Sequence, residues 1–309
     1  MQVQMPQHIA HTATDRPAPD ALIDLAHVYM LSGLLTGSTR LIDLAIQTGG
    51  SPSVAADCHR AINDAKACDA AIGSAAIAHG EFAVPSIERN ADGSPKFIVP
   101  IPAEAAGQAE VQAAVVAELT GGGIDAELRS FLSAMLEPGD AFIDCDPGFG
   151  FAALTAATRH PGATSMVARS ADDGHATFLR RAFVVNRVAR GLVEAPIGQT
   201  PQSLDALMTT ASAFQPSRVI IHAGQAEDVA AMWPEVERHL RNPRVAAIVW
   251  SPDAQQSMEL QQHFERIGVT QFVIAHDANG AILVPAGQLR GASIVIGIPA
   301  HVLAGRQAA

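Results

Sequence analysis

The sequence has few of the features that mark secreted, membrane or zinc-binding proteins. Its three cysteines, Cys58, Cys68 and Cys145, cannot form a complete disulfide framework, and their spacing fits no zinc-binding pattern. No apolar stretch approaches the roughly 20 residues that span a bilayer. The segment Met1–Pro19 lacks the basic and apolar regions of a signal peptide. These absences predict a cytoplasmic protein with no membrane partner.

Positive charge is also scarce. Lys66 and Lys96 are the only lysines, and 20 basic residues stand against 31 acidic residues, which gives a formal net charge of −11. A nucleic-acid backbone requires a basic surface, so the composition predicts no nucleic-acid partner. No cluster of acidic or histidine residues in the sequence requires a metal ion.

The first third of the chain is expected to be helical. Residues 1–18 are polar and contain proline, which predicts a flexible tail. Within 19–100, apolar residues such as Leu22, Leu25 and Tyr29 recur at helical spacing, which predicts an α-helical N-terminal domain. At 309 residues and 48% apolar content, the chain is long enough for this domain and a second one.

Glycine and proline divide this region further. A second helix is expected to end at Gly49–Gly50, and two more alanine-rich helices are expected near 52–65 and 66–79. Residues 80–100 carry the densest turn signals of the chain, which predict a domain boundary or a β-hairpin. A further helix is expected over 103–119.

The remainder, residues 101–309, alternates short β-branched runs with amphipathic helical stretches. This alternation predicts an α/β domain with an open, mostly parallel sheet of about seven strands and helices on both faces. Ligands of such sheets bind at the carboxyl ends of the strands, where the strand order reverses. The expected strands are 141–145, 165–168, 191–195, 218–222, 245–250, 271–275 and 293–298, and the expected helices are 151–158, 173–187, 225–240 and 254–267.

The first of these strands leads into the most informative motif. It ends at Asp144, and Asp146 and the loop Gly148-Phe149-Gly150 follow before the next helix. Glycines allow a ligand to approach the backbone, and a helix N-terminus offers free N–H groups. Gly148, Gly150 and Ala153 match a dinucleotide fingerprint, but the acid which that fingerprint needs about 20 residues later is missing at 168–170.

A second interpretation of the same loop comes from a resemblance. Residues 124–299 resemble the FkbM family of S-adenosylmethionine-dependent methyltransferases. The resemblance implies a Rossmann-like class I methyltransferase sheet, S-adenosylmethionine as cofactor, and methyl transfer to a hydroxyl of a small molecule or sugar. Four stretches carry it in family order: Leu136-Glu-Pro-Gly-Asp-Ala-Phe-Ile-Asp144, Leu179-Arg-Arg-Ala-Phe-Val-Val-Asn186, Gln202-Ser-Leu-Asp-Ala-Leu207 and Val219-Ile-Ile-His-Ala-Gly-Gln-Ala-Glu227.

The resemblance also implies a set of site residues. His222, at a strand end, is the expected general base. Ser170 stands where the family has the glutamate that binds the ribose, and Asp172 is either a substitute ribose acceptor or a helix N-cap. The expected cofactor-binding residues are Asp144, Asp146, Gly148, Phe149, Gly150, Ser170 and Asp172.

Several departures from the family pattern support a second hypothesis. Asp146 replaces a glycine of the family loop, and Ser170, His222 and Gly224 replace acidic residues. A catalytically inactive relative, kept as a scaffold, would explain these changes. Its partner surface would be the N-terminal helical domain, in which Leu25 to Ala45 faintly resembles a tetratricopeptide unit. An enzyme, in contrast, requires a small-molecule or saccharide acceptor.

Overall fold

The computed structural model describes most of the chain from residue 81 onward and part of the N-terminal region. The predicted tail over 1–18 and the predicted helix over 66–79 lie outside the described residues. The described ranges are 22–23, 26, 35–53, 56, 59–60, 63, 81–91, 95–102, 108–119, 125–197, 202–252, 257–277, 280–286 and 294–307.

The chain divides into two compact units, each built from two segments. The first unit is Met1–Phe82 with Pro102–Gly122, and the second is Ala83–Ile101 with Gly123–Ala309. This division differs from a single boundary near residue 100, because the segment 83–101 belongs to the second unit.

In the first unit, helix α1 spans Leu35–Gln47 and helix α2 spans Ala109–Leu119. Helix α1 buries Ile42 and Ala45. It ends where the sequence predicted, because Gly49 adopts a left-handed φ of 98° and the Gly50 amide donates to the Ala45 carbonyl at 2.8 Å.

The second unit is built on an eight-stranded sheet. Its strands are β3 Ala141–Asp144, β4 Ser165–Arg169, β5 Gly191–Glu194, β6 Val219–Gln225, β7 Val245–Ser251, β8 Val269–Asp277, β9 Gly280–Pro285 and β10 Val295–Pro299. Their order across the sheet is β5-β4-β3-β6-β7-β10-β8-β9. Strands β3 to β7 pair in parallel, whereas β10 runs antiparallel to both β7 and β8, and β9 runs antiparallel to β8. The predicted α/β sheet is confirmed.

Helices connect most of these strands. The sheet is hydrophobic on both faces, and every residue of β3 is buried, as expected when helices cover a parallel sheet. The helices are α3 Ala126–Met135, α4 Phe151–Arg159, α5 Asp173–Val185, α6 Leu204–Ser212, α7 Ala226–Ala231, α8 Trp233–Leu240, α9 Ser257–Arg266 and α10 Ala300–Gln307. Among the described residues, no helix is long and apolar enough to cross a membrane.

Two details differ from the sequence prediction. The helix predicted over 225–240 is two helices that meet at Met232, because Pro234 has no N–H group with which to continue the hydrogen bonding of α7. Strand β9 was not predicted, although Asn279-Gly280 before it is a common hairpin signal.

A two-stranded sheet forms from β1, Glu81–Pro85, and β2, Ile98–Pro102. Residues 80–100 therefore contain the β-hairpin that was one of the two predicted outcomes. The Arg129 side chain is 2% exposed and pairs with Glu88 of this hairpin. Its guanidinium also lies 5.5 and 5.6 Å from the ring centres of Phe97 and Phe151. Arg129 thus connects the hairpin to the start of helix α4.

We expect Glu88→Ala to lower the free energy of unfolding by about 3 kcal/mol, because it removes a carboxylate that pairs with a buried guanidinium. Glu237→Ala removes the partner of Arg241 from an exposed pair and should cost less than about 1 kcal/mol. Urea unfolding of both variants measures the difference. Equal losses would contradict the structural role given to Arg129.

Candidate functional site

The site begins where the strand order of the sheet reverses. The chain runs outward from β3 through β4 to β5 and then returns to β6 on the other side of β3. Such a reversal opens a crevice at the carboxyl ends of the strands. Asp144 is the last residue of β3 and lies directly opposite His222 of β6 in the parallel register.

The side chains of these two residues form a buried pair. His222 Nδ1 donates to Asp144 Oδ1 at 2.8 Å, and the two residues are 6% and 0% exposed. Because a carboxylate only accepts, this hydrogen bond places the proton on Nδ1. Within the described part of the chain, His222 Nε2 has no hydrogen-bond partner. The imidazole is therefore oriented by Asp144 and retains one nitrogen for another group.

The carboxylate of Asp144 is only partly satisfied. Its Oδ1 also accepts from the Asp146 amide at 3.3 Å. Its Oδ2 is buried and has no hydrogen-bond partner among the described residues. A buried carboxylate oxygen without a donor is costly unless a cation or a ligand compensates for it.

Several carboxylates affect the titration of His222. Burial alone disfavours the imidazolium, but the negative charges of Asp144, Asp125 and Asp146 outweigh it and raise the pKa of His222 above 6.5. Desolvation raises the pKa of Asp125 and of Asp146, and the other carboxyls nearby act in the same direction. By surface area both residues are exposed, so solvent limits the effect of this desolvation.

The glycine loop between β3 and α4 requires left-handed backbone at two positions. Gly148 has a φ of 49° and Gly150 a φ of 81°. A Cβ at Gly150 would lie 3.1 Å from Leu179, whereas a Cβ at Gly148 would meet no atom within 4 Å. Gly148 thus leaves open space beside the loop, as close approach of a ligand to the backbone requires.

A close contact fixes this loop against β6. A Cβ at Gly224 would lie 2.8 Å from Asp146 Cβ and 3.2 Å from Asp228 Oδ2. A side chain at position 224 could not be accommodated next to Asp146 unless one of the two positions shifted. The residues at positions 146 and 224 are therefore structurally coupled.

One histidine joins the glycine loop to the segment after β4. His175 Nε2 donates to the Gly148 carbonyl at 2.7 Å, and its Nδ1 accepts from the Ala171 amide at 3.2 Å. Phe149 packs edge-on against Phe178 with ring centres 6.4 Å apart. Both contacts hold the loop beside the first turn of α5.

The polar residues at and just after the end of β4 make hydrogen bonds within the protein. Ser170 is fully buried, and its hydroxyl donates to the Glu194 carbonyl at 3.2 Å. Arg169 Nε donates to the Cys145 carbonyl at 2.7 Å, and no described ion pair joins it to Asp144 or Asp146. Asp172 caps helix α5, because its Oδ1 accepts from the His175 amide at 2.7 Å.

The structure brings together only some of the predicted site residues. Asp144 and His222 are in contact, and Asp146, Gly148 and Gly150 follow in the adjoining loop. The Ser170 hydroxyl donates a hydrogen bond to a backbone carbonyl of β5 instead. Sequence reasoning did not identify His175 or Asp125, since neither belongs to a recognised motif and their roles depend on contacts distant in sequence.

No group of three or more metal-ligating side chains occurs within the described ranges. The thiol of Cys145 also offers no reactive group, because burial raises its pKa to about 12. The ionisable groups described at the site include the carboxylates of Asp125 and Asp146 and the imidazole of His222.

No protein-family model matches the sequence, and no curated protein matches it. Solved structures match part of the chain. A candidate tRNA (m1A22) methyltransferase of Streptococcus pneumoniae is 13% identical at a TM-score of 0.37, over 55% of this chain and 68% of that chain. A precorrin-6y C5,15-methyltransferase of Geobacter metallireducens is 16% identical at 0.36, over 56% and 87%. A SAM-dependent O-methyltransferase of Thermotoga maritima is 11% identical at 0.35, over 55% and 64%.

These likenesses concern the fold alone. The Rossmann-like α/β architecture follows from the strand order and parallel register of the sheet itself. None of these three structures is described as an FkbM-family protein, and the resemblance to a tetratricopeptide unit gains no support. The absence of a nucleic-acid partner, which the charge balance indicates, stays a prediction.

The raised pKa of His222 predicts how stability depends on pH. A histidine whose pKa is higher in the folded state stabilises the fold fully below its unfolded pKa of about 6.5, and this contribution is lost as pH rises through the folded value. We expect His222→Asn, whose amide can still donate to Asp144, to remove this part of the pH dependence. Urea unfolding at a series of pH values measures it, and parallel curves for the two proteins would contradict the pairing.

Proposed function

We propose that this protein transfers a methyl group from S-adenosylmethionine to a hydroxyl of a small molecule or saccharide, with His222 as the general base. The observation that carries the proposal is the 2.8 Å hydrogen bond between His222 and Asp144 at the reversal of the strand order. An aspartate on one imidazole nitrogen orients the ring and leaves the other nitrogen to accept a proton.

The glycine loop suits the cationic end of S-adenosylmethionine. The sulfonium and amino groups of that cofactor carry positive charge, and the carboxylates of Asp144, Asp146 and Asp228 lie near the loop. Asp144 Oδ2 has no partner among the described residues, and the space beside Gly148 is open. The loop therefore offers carboxylates together with room for a ligand.

The ribose end fits less closely. The Ser170 hydroxyl is already bonded to the Glu194 carbonyl. Asp172 is exposed and uses one carboxylate oxygen as the helix cap. We assign the ribose hydroxyls to the second oxygen of Asp172.

The chain's own residues would handle the proton of the acceptor. S-adenosylmethionine, when bound, supplies an electrophilic methyl group that moves from sulfur to the acceptor oxygen. His222 takes the hydroxyl proton on Nε2, and Asp144 holds the ring and stabilises the imidazolium charge. Because the pKa of His222 is raised, activity should increase with pH as the imidazole becomes neutral. A cationic ligand near these carboxylates lowers that pKa and favours the neutral base.

A second candidate function is a catalytically inactive scaffold that retains the fold and binds a protein through its N-terminal helices. The contact of Ser170 with Glu194 favours it, because a serine hydroxyl committed to the backbone cannot replace the bidentate acceptor of the ribose. The two functions differ in whether the cofactor binds.

Calorimetric titration of the full chain with S-adenosylhomocysteine tests the proposal. We expect micromolar binding, and we expect Gly148→Ala to weaken it by about tenfold or more, since the added methyl group occupies the open space beside the loop. Gly162→Ala is the matched control, because Gly162 also has a positive φ, of 75°, and a Cβ there would also meet no atom within 4 Å. Gly162 lies before the amino end of β4, away from the carboxyl ends of the strands where the candidate site lies.

Two outcomes would contradict the enzyme proposal. One is the absence of binding to wild-type protein at millimolar S-adenosylhomocysteine, which would favour the scaffold. The other is equal weakening by Gly148→Ala and Gly162→Ala, which would show that backbone strain, rather than occupation of the site, causes the loss.

A further inference from the structure

A pocket lies at the amino ends of the parallel strands, whereas the candidate active site lies at their carboxyl ends. It has a volume of about 200 Å³ and lies where the turns before β4 and β5 meet the hairpin of β1 and β2. Asp144 and His222 lie at the other end of the strands, so this pocket is separate from them. Its walls include Lys96, Thr158, Gly162, Asn186, Arg187 and Val188.

Two cations lie in the wall of this pocket. They are Lys96, which is half-buried, and Arg187, which is exposed. Neither side chain has a hydrogen-bond or ion-pair partner among the residues that the structure describes. In a chain with 31 acidic residues and a net charge of −11, two cations in one pocket whose described lining contains no carboxylate stand out. The described lining of this pocket is therefore positively charged.

The backbone at Arg187 is unfavourable for arginine. Arg187 has a φ of 54° immediately after helix α5 and its C-cap residue Asn186. Its amide donates to the Val184 carbonyl, and the Val188 amide donates to the Phe183 carbonyl. This pair of bonds is a Schellman motif, in which glycine is the usual residue at the left-handed position. An arginine here retains backbone strain that glycine would relieve.

Asn186 fixes the geometry of the pocket. Its Nδ2 donates to the Ile98 carbonyl at 2.6 Å and to the Ala182 carbonyl at 2.7 Å, and its Oδ1 accepts from the Ile98 amide at 2.8 Å. These bonds tie strand β2 to the end of α5. Lys96, two residues before Ile98, and Arg187, one residue after Asn186, are thereby held in one pocket.

Helix ends do not account for both charges. Helices α4 and α5 both end at this pocket, and each C-terminus carries a partial charge of about −0.5. Lys96 and Arg187 together supply two positive charges, so the described lining and the two helix ends together carry an excess of about one positive charge. A guanidinium and an ammonium around such a cavity match the oxygens of a small oxyanion.

We propose that this pocket binds phosphate or the phosphate group of a small monoester, held by Arg187 and Lys96. The oxygens of the anion accept hydrogen bonds from the Arg187 guanidinium and from the Lys96 ammonium. The site does not depend on methyl transfer, because it shares no residue with the glycine loop or the His222–Asp144 pair.

Calorimetric titration of the full chain with inorganic phosphate, at constant ionic strength maintained with sodium chloride, tests this proposal. We expect saturable binding, and we expect Arg187→Gln and Lys96→Gln each to weaken it by about tenfold or more. Arg244→Gln is the matched control, because Arg244 is an exposed arginine beside β7 that does not line the pocket. That variant should bind phosphate as the wild type does.

A further variant separates binding from folding. Arg187→Gly removes the guanidinium but suits the left-handed backbone, so its Tm without phosphate should rise while phosphate binding is lost. Absence of saturable phosphate binding to the wild type would overturn the proposal. Unchanged affinity in Arg187→Gln and Lys96→Gln, or an equal loss in Arg244→Gln, would overturn it as well.

Discussion

The parallel register between β3 and β6 is the constraint on which the candidate active site depends. It sets Asp144 directly opposite His222 and brings the Cys145 amide to the His222 carbonyl at 2.8 Å. Because side chains alternate between the faces of a strand, a shift of one residue would turn one member of the pair to the other face. Burial of an aspartate and a histidine side by side is less costly in this register, because the two side chains share a hydrogen bond.

The fold could be predicted from the sequence because its signals are local. β-branched runs alternate with amphipathic stretches, and all seven strands predicted from them are present. Strand β9 was missed because β8 and β9 follow one another without an intervening helix, which breaks the alternation. Pro234 causes the break between the two helices at Met232. The periodicity of apolar residues, from which one helix was predicted, does not reveal such a break. The hairpin of β1 and β2 was predicted as one of two outcomes, but its pairing through Glu88 with the distant Arg129 was not.

The site could be predicted only in part, since its contacts join residues far apart in sequence. Asp144 and His222 are recognisable as strand ends, but their hydrogen bond links positions 78 residues apart. Asp172 was predicted as either a ribose acceptor or a helix cap, and it does cap α5. The hydrogen bond from Ser170 to the Glu194 carbonyl depends instead on the pairing of β4 with β5. The bridge made by His175 from the Gly148 carbonyl to the Ala171 amide has no sequence signature at all.

The measurement that tests the central claim most directly is nitrogen NMR of the His222 imidazole with and without S-adenosylhomocysteine. His222→Asn identifies its resonances. The account predicts a proton held on Nδ1 by Asp144, a pKa above 6.5, and a change in the Nε2 resonance when the ligand binds. A neutral ring with its proton on Nε2, together with resonances that do not respond to the ligand, would contradict it.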